Sequence, residues 1–169
     1  MTRRVVIADA GPLIALTRIE SLHLLRQLFG RVCITTAVRE EIVPANAAFA
    51  DADLLTRTLT EGWIDVIETP PSDHKMLNPG IDAGEASAID LACHLREAGD
   101  TVLLLMDDRA GRLEAKSRGL ALIGSAAVIG LAKTDGLIPA ARPLLERMVA
   151  SGYFIGPAII SAILTDVGE

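Results

Sequence analysis

The segment Thr101–Met106 (TVLLLM) constrains the fold more than any other part of the chain. A strand with water on one face alternates apolar and polar residues, and this run does not, so it belongs in a sheet covered on both faces. Arg4–Ala8 (RVVIA) is a shorter β-branched run of the same buried kind. Val32–Thr35, Ile64–Glu68 and Leu120–Ile123 read as further strands. Helical segments lie between them. Pro12 opens one through Thr17, Ser21 is placed to cap a second through Phe29, ended by Gly30, and Thr36 to cap a third that stops before Pro44. Longer helices are expected over Ala47–Glu61, Ala83–Ala98 and Arg109–Arg118, with Gly99 and Gly119 ending the last two. After Ile123 the chain reads as helical to its end. Parallel strands require crossover connections, so the alternation predicts a three-layer α/β/α sandwich around a central, mainly parallel sheet.

A length of 169 residues suits one domain over 1–169, and no repeat, low-complexity tract or linker divides it. Thr69–Asp82, with Pro70, Pro71, Pro79 and Gly80, is the one long loop expected. Half the residues are hydrophobic but only 3% are aromatic, so the core must be aliphatic. The surplus of aliphatic residues also points to self-association. A formal charge of −6 argues against gripping nucleic acid by bulk electrostatics. It leaves room for an enzyme whose carboxylates bind cations, because those cations offset the charge.

Cys33 and Cys93 lie in apolar runs with no metal-binding spacing, and are expected to be buried free thiols in a reducing, cytoplasmic setting. Asp9 interrupts the apolar N-terminal run too early for a signal peptide. Met148–Thr165 is uncharged, but its Ser-Gly and Gly-Pro pairs suit two short helices rather than a membrane span.

The acidic residues carry the chemistry. Asp9 directly follows the first strand and Asp107 directly follows the strongest one. Ligands of open α/β sheets bind at the carboxyl ends of strands, so the two acids should lie close together if their strands are neighbours. The alternative is that Asp9 and Asp108 cap the helices that follow. Glu41 shares a helical stripe with Ala37, Val38 and Ile42, where a carboxylate is costly unless paired or bound to a cation. A short helix that lets Glu41 reach water is the competing explanation. Glu85 shares a face with Ile89 and Ala92, and equally suits the first helical turn as a plain dipole partner. Asp90 is expected at the surface. Carboxylate oxygens favour Mg²⁺ or Mn²⁺ over zinc, and such a site would activate water against a phosphodiester.

Arg109, Arg112 and Lys116 recur at helical spacing behind Asp107-Asp108 and could hold a phosphate backbone, although a solvated face also explains them. Ser125 is placed to cap the next helix or to touch substrate, and Gly84 to ease entry into its helix. His23, His74 and His94 are scattered, which disfavours nucleophilic catalysis by a side chain and leaves a metal-bound water as the nucleophile. No glycine-rich phosphate loop is present, so no nucleotide cofactor is expected.

The succession VVIADAGPLIAL, TTAVREEIV, GEASAIDLA and LLLMDDRAGRLEAKSRGL resembles a PIN domain, over nearly the whole chain and including the tail GYFIGPAIISAIL. It is most similar to a branch associated with bacterial and archaeal toxin–antitoxin pairs (VapC-like). The resemblance implies a metal-dependent ribonuclease, commonly a homodimer, often inhibited by a small antitoxin. By motif, Asp9, Glu41 and Glu85 match the first three acids, and Asp107 or Asp108 the last. Two departures stand out: the third acid is glutamate where many PIN domains have aspartate, and Asp107-Asp108 replaces the usual Asn-Asp or Thr-x-Asp. Asp107 is favoured because it leaves its strand first, as Asp9 does, with Asp108 beside it.

Other classes fit less well. A haloacid-dehalogenase site needs Asp-x-Asp where this chain has Asp9-Ala10-Gly11, and a receiver needs a lysine where the last strand ends at Gly124. The alternative that shares the fold is a non-catalytic PIN-like module that binds RNA or a protein partner.

Overall fold

The computed structural model describes residues 2–44 and 50–169. Five strands, β1 (Arg4–Ala8), β2 (Val32–Thr35), β3 (Ile64–Ile67), β4 (Thr101–Leu105) and β5 (Ala121–Ile123), form one sheet in the order β3-β2-β1-β4-β5. Every pairing is parallel. β1 and β2 coincide with their sequence-predicted limits, and the other three are each one residue shorter. The described helices are α1 (Ala10–Arg18), α2 (His23–Phe29), α3 (Thr36–Ile42), α4 (Ala50–Thr60), α5 (Ala83–Glu97), α6 (Arg109–Ser117), α7 (Ser125–Thr134), α8 (Arg142–Ala150) and α9 (Pro157–Asp166). They cover both faces of the sheet, which makes the fold the expected α/β/α sandwich.

The two-residue period of each strand divides the core. Ala8, Val32, Ile34 and Leu105 face a cluster that includes Leu13 and Leu16 of α1, Ile42 of α3, Ile129 of α7 and Leu145 of α8. Ile7, Cys33, Val102 and Leu104 face the opposite way, against Ile89 and Leu91 of α5 and Ala115 of α6. Both cysteines are buried and free, as their apolar contexts predict.

Local chemistry sets the helix ends, with some differences from expectation. Thr35, not Thr36, caps α3, its Oγ1 accepting the Val38 N–H at 3.1 Å. As the extended last residue of β2, Thr35 holds the geometry a cap requires. Ser21 does not cap α2, because its hydroxyl donates to the Ile19 carbonyl at 3.1 Å. α1 starts at Ala10, ahead of Pro12, since the first turn tolerates proline. The described part of α4 begins at Ala50, and residues 47–49 of the expected helix lie outside the described residues. The uncharged stretch after Met148 is split between the end of α8 and α9, and no described helix is long and apolar enough to cross a membrane.

The topology positions the site. The chain runs β1, β2, β3 toward one edge, then returns to lay β4 on the other side of β1. The connections leaving the carboxyl ends of β1 and β4 therefore diverge. That divergence opens a crevice where doubly wound sheets bind ligands.

Candidate active site

A cleft of about 950 Å³ opens over this switch point, and six carboxylates line it: Asp9, Glu41, Asp82, Glu85, Asp107 and Asp108. Each comes from the start or end of an element packed around the β1–β4 junction.

Asp9 lies deepest. Its backbone N–H donates to the Leu105 carbonyl at 2.9 Å, which joins the end of β1 to the end of β4. It occupies the position before α1, yet its side chain makes no capping hydrogen bond. Its Oδ1 is buried with no hydrogen-bond partner among the described residues. Capping therefore does not account for this aspartate. Burial pushes its pKa up to about 7, opposed by the Ala10 N–H and reinforced by the charges of Glu85, Glu41 and Asp82.

Glu41 stands in the last turn of α3. The residue is exposed, so it does not point into the core as its stripe implied, because α3 ends one residue later and lets it reach the cleft. Its carboxyl end lies over α5, so close that a Cβ on Gly84 would stand 2.5 Å from Oε2. Gly84 thus admits a neighbouring carboxylate, a stricter demand than easy helix entry. Partial burial and the charge of Asp82 raise the pKa of Glu41.

Glu85 is buried at the start of α5, in a reciprocal cap. Its N–H donates to Asp82 Oδ1 at 2.8 Å, and its own Oε2 accepts the Asp82 N–H at 3.1 Å. The capping explanation for Glu85 therefore holds, and the same side chain also lines the cleft. Burial raises its pKa to about 6, with Asp82, Asp108 and Glu41 adding repulsion against the lowering effect of the Asp82 N–H.

Asp107 leaves β4 and is held from two sides. Its Oδ1 accepts the Ser125 N–H at 2.8 Å, and its Oδ2 accepts the hydroxyl of Tyr153. A Cβ on Gly124 would lie 2.9 Å from Oδ1, so glycine there permits the close approach. Asp108 caps α6, its Oδ2 accepting the Gly111 N–H at 3.0 Å, while its charge reaches Glu85. Ser125 is the first residue of α7 and does not cap it: its backbone serves Asp107, and its buried hydroxyl points to Met148 Sδ at 3.7 Å.

Arg109, Arg112 and Lys116 line one wall of the cleft. Arg112 is half-buried and donates through Nη1 to the Met106 carbonyl at 2.7 Å, whereas Arg109 and Lys116 are exposed. None of the three histidines lines the cleft. Asp90 is only partly exposed, because it accepts the Ser72 hydroxyl at 3.3 Å and helps hold the loop before α5.

Among the cleft residues that escape the sequence reading are Asp82, Tyr153 and Phe154. Asp82 had a signal, the Asp-x-x-Glu pattern of a capping box. Tyr153 had none, because it meets Asp107 from 46 residues away.

The donor chemistry suits a hard divalent cation: all six acids offer oxygen, and Asp9 presents a buried oxygen that nothing described satisfies. Among the described residues, however, no group of three or more His, Cys, Asp or Glu side chains converges closely enough to hold an ion. Burial is the main cause of the raised pKa values of Asp9, Glu41 and Glu85, and repulsion from neighbouring carboxylates adds to it.

An open parallel α/β sheet with an acid-lined cleft at its switch point places the chain in the class of doubly wound α/β proteins. Within that class the chain belongs to the PIN-domain family: the family described as DUF3368: PIN domain matches residues 5–169. PIN domains are generally nucleases that act on RNA with divalent metals, so membership marks this protein as a nuclease at that coarse level. No curated protein matches the sequence.

Proposed function

We propose that this protein is a divalent-metal-dependent ribonuclease that hydrolyses RNA phosphodiesters in the β1–β4 cleft. Asp9, Glu41, Glu85 and Asp107 are its catalytic acids, and the same four with Asp108 are its cation ligands. One observation carries the reading: Asp9 is buried, makes no capping hydrogen bond, keeps one oxygen unpartnered among the described residues, and lies in the lining of a cleft with five further carboxylates. Folding alone gives no reason to keep such a group.

A divalent ion, Mg²⁺ or Mn²⁺, bound there would acidify a water molecule and offset the charge that builds on a phosphodiester displaced in line. The chain's own groups do the remaining work. Without the ion, burial raises Asp9 to about 7 and Glu85 to about 6, and a bound cation would lower both and hold them ionised as ligands. Ser125 N–H and the Tyr153 hydroxyl hold the Asp107 carboxylate in one orientation. Arg109 and Lys116, exposed along the wall, are placed to contact phosphates, and Arg112 between them stiffens the turn after β4.

The family match over 5–169 supports reading residues 1–169 as one PIN-like domain. The finer reading follows the sequence resemblance: a VapC-like toxin of a toxin–antitoxin pair, cytoplasmic, with a small antitoxin as partner. A homodimer is proposed with it, and Leu131, Leu137 and Val149, exposed apolar side chains outside the cleft, support self-association.

A second reading, a non-catalytic PIN-like module that binds RNA or a protein, draws on the absence of a converged acid group among the described residues. Incubating a mixed RNA pool with the purified protein in Mg²⁺, Mn²⁺ or chelator, beside Asp9→Asn, decides between them. Metal-dependent cleavage that the substitution abolishes supports the nuclease. Absence of cleavage by folded protein in every condition supports the binding module.

A further inference from the structure

Phe154 is 89% exposed, the most exposed large hydrophobic side chain among the described residues, and it stands in the wall of the acid-lined cleft. Its position is fixed by its neighbours. Tyr153 is half-buried, donates its hydroxyl to Asp107, and lies 3.4 Å from where a Gly11 Cβ would be. The Tyr153 N–H returns to the Met148 carbonyl at 3.3 Å, and the Gly156 carbonyl accepts the Ile159 N–H at 2.9 Å as α9 begins. A bare phenyl ring is thus presented to solvent on a turn tied directly to a cleft carboxylate.

Charge identifies the occupant. With a net charge of −6 and at most three cations along the wall, the cleft cannot draw a polyanion by electrostatics alone. Binding has to recruit a contact that does not depend on charge. The nucleobase offers one, since every base has a π-face and stacking on an aromatic ring tolerates any sequence.

We propose that Phe154 is a stacking platform for an unpaired nucleobase of the strand lying in the cleft, with Arg109 and Lys116 taking its phosphates. The proposal rests on the reading of the cleft as an RNA site. Bases within a duplex are already stacked on one another, so the platform selects single strands.

The test uses the Asp9→Asn protein in Mg²⁺, which prevents hydrolysis, with fluorescence anisotropy of a ten-nucleotide oligoadenylate and of an RNA duplex of equal length. Phe154→Ala should weaken single-strand binding by about 5- to 150-fold, and Phe154→Trp should hold it within about threefold of the parent. Duplex binding should be the same in both. The slope of log affinity against log salt should be no steeper than about −2 and should not change in Phe154→Ala, because no ionic contact is lost. In the otherwise unsubstituted enzyme, Phe154→Ala should raise KM and leave kcat nearly unchanged.

Single-strand affinity unaffected by Phe154→Ala, beside intact cleavage by the unsubstituted enzyme, overturns the platform and leaves the nuclease standing. A fall in molecular mass by light scattering on Phe154→Ala assigns the ring to a contact between copies, and equally overturns it. No RNA binding by the Asp9→Asn parent together with no cleavage by the unsubstituted protein removes the RNA reading itself.

Discussion

Glu41 and Gly84 share one small space: a Cβ on residue 84 would lie 2.5 Å from the Glu41 carboxylate oxygen. α3 and α5 pack closely on one another, and their contact brings an acid from one against the bare backbone of the other. The spacing of the two cleft glutamates therefore depends on the absence of a single methyl group.

Gly84→Ala separates folding from function at this point. The colliding atom is the end of a flexible side chain, so Glu41 can swing away at little cost. Alanine also favours the helix over glycine by about 0.5–1 kcal/mol. The melting temperature should stay within a few degrees while cleavage falls by about tenfold or more, the displaced carboxylate being lost from the cleft. Undiminished cleavage would mean that Glu41 need not stand where it does.

Asp9 should make the metal-free protein less stable as pH rises. Its pKa is about 7 when folded against 3.8 in an ordinary setting. Between those values the folded state keeps a proton that the unfolded chain has released, so stability drops as pH climbs through the window. The full effect is at most about 4 kcal/mol, and Glu85 adds in the same direction up to its own value of about 6. Denaturant unfolding in chelator from pH 4 to 8 should show this decline, and Asp9→Asn should flatten most of it. A stability profile identical in the two proteins would contradict the burial of an ionisable Asp9.

Much of this arrangement was legible in the sequence. The runs RVVIA and TVLLLM read as buried strands, each followed by an acid, and the pairing of those strands as neighbours, which the sequence left open, brings both acids to the switch point. Glu41 and Glu85 were legible as acids out of place, but not their surroundings: the exposure of Glu41 depends on where α3 stops, and the cap of Glu85 depends on Asp82 at the end of a loop. The role of Ser125 was misread because its spacing suggests a cap, whereas its backbone N–H is claimed by Asp107 from across the sheet. Tyr153 and Phe154 were hidden for a similar reason. No local pattern reports a contact made between the C-terminal turn and the end of β4.

Divalent metal should raise the melting temperature, because a ligand that binds only the native state stabilises it, by about 2.7 kcal/mol at one hundred times its dissociation constant. Asp9→Asn should remove most of the shift. Asp107→Asn should remove most of it as well, whereas Asp108→Asn should reduce it less and fold normally, asparagine being an equally good cap for α6. The reverse order for the two aspartates would exchange their roles in the site.

Tyr153 is the only tyrosine in the chain, so its ionisation can be followed without interference by phenolate absorbance. Burial, then the adjacent Asp107 charge, raises its pKa well above the ordinary phenol range. Folded protein should therefore show no phenolate near pH 10, where a free tyrosine titrates, and the signal should appear only as alkali unfolds the chain. A reversible titration near pH 10 with the fold intact would break the assigned contact. Tyr153→Phe should cost about 1.5–3 kcal/mol of stability, the range for a hydrogen bond to a charged group, because it leaves Asp107 Oδ2 without its donor. Cleavage should fall in the same variant while RNA binding through Phe154 persists, since the hydroxyl acts on the carboxylate and the neighbouring ring acts on the base.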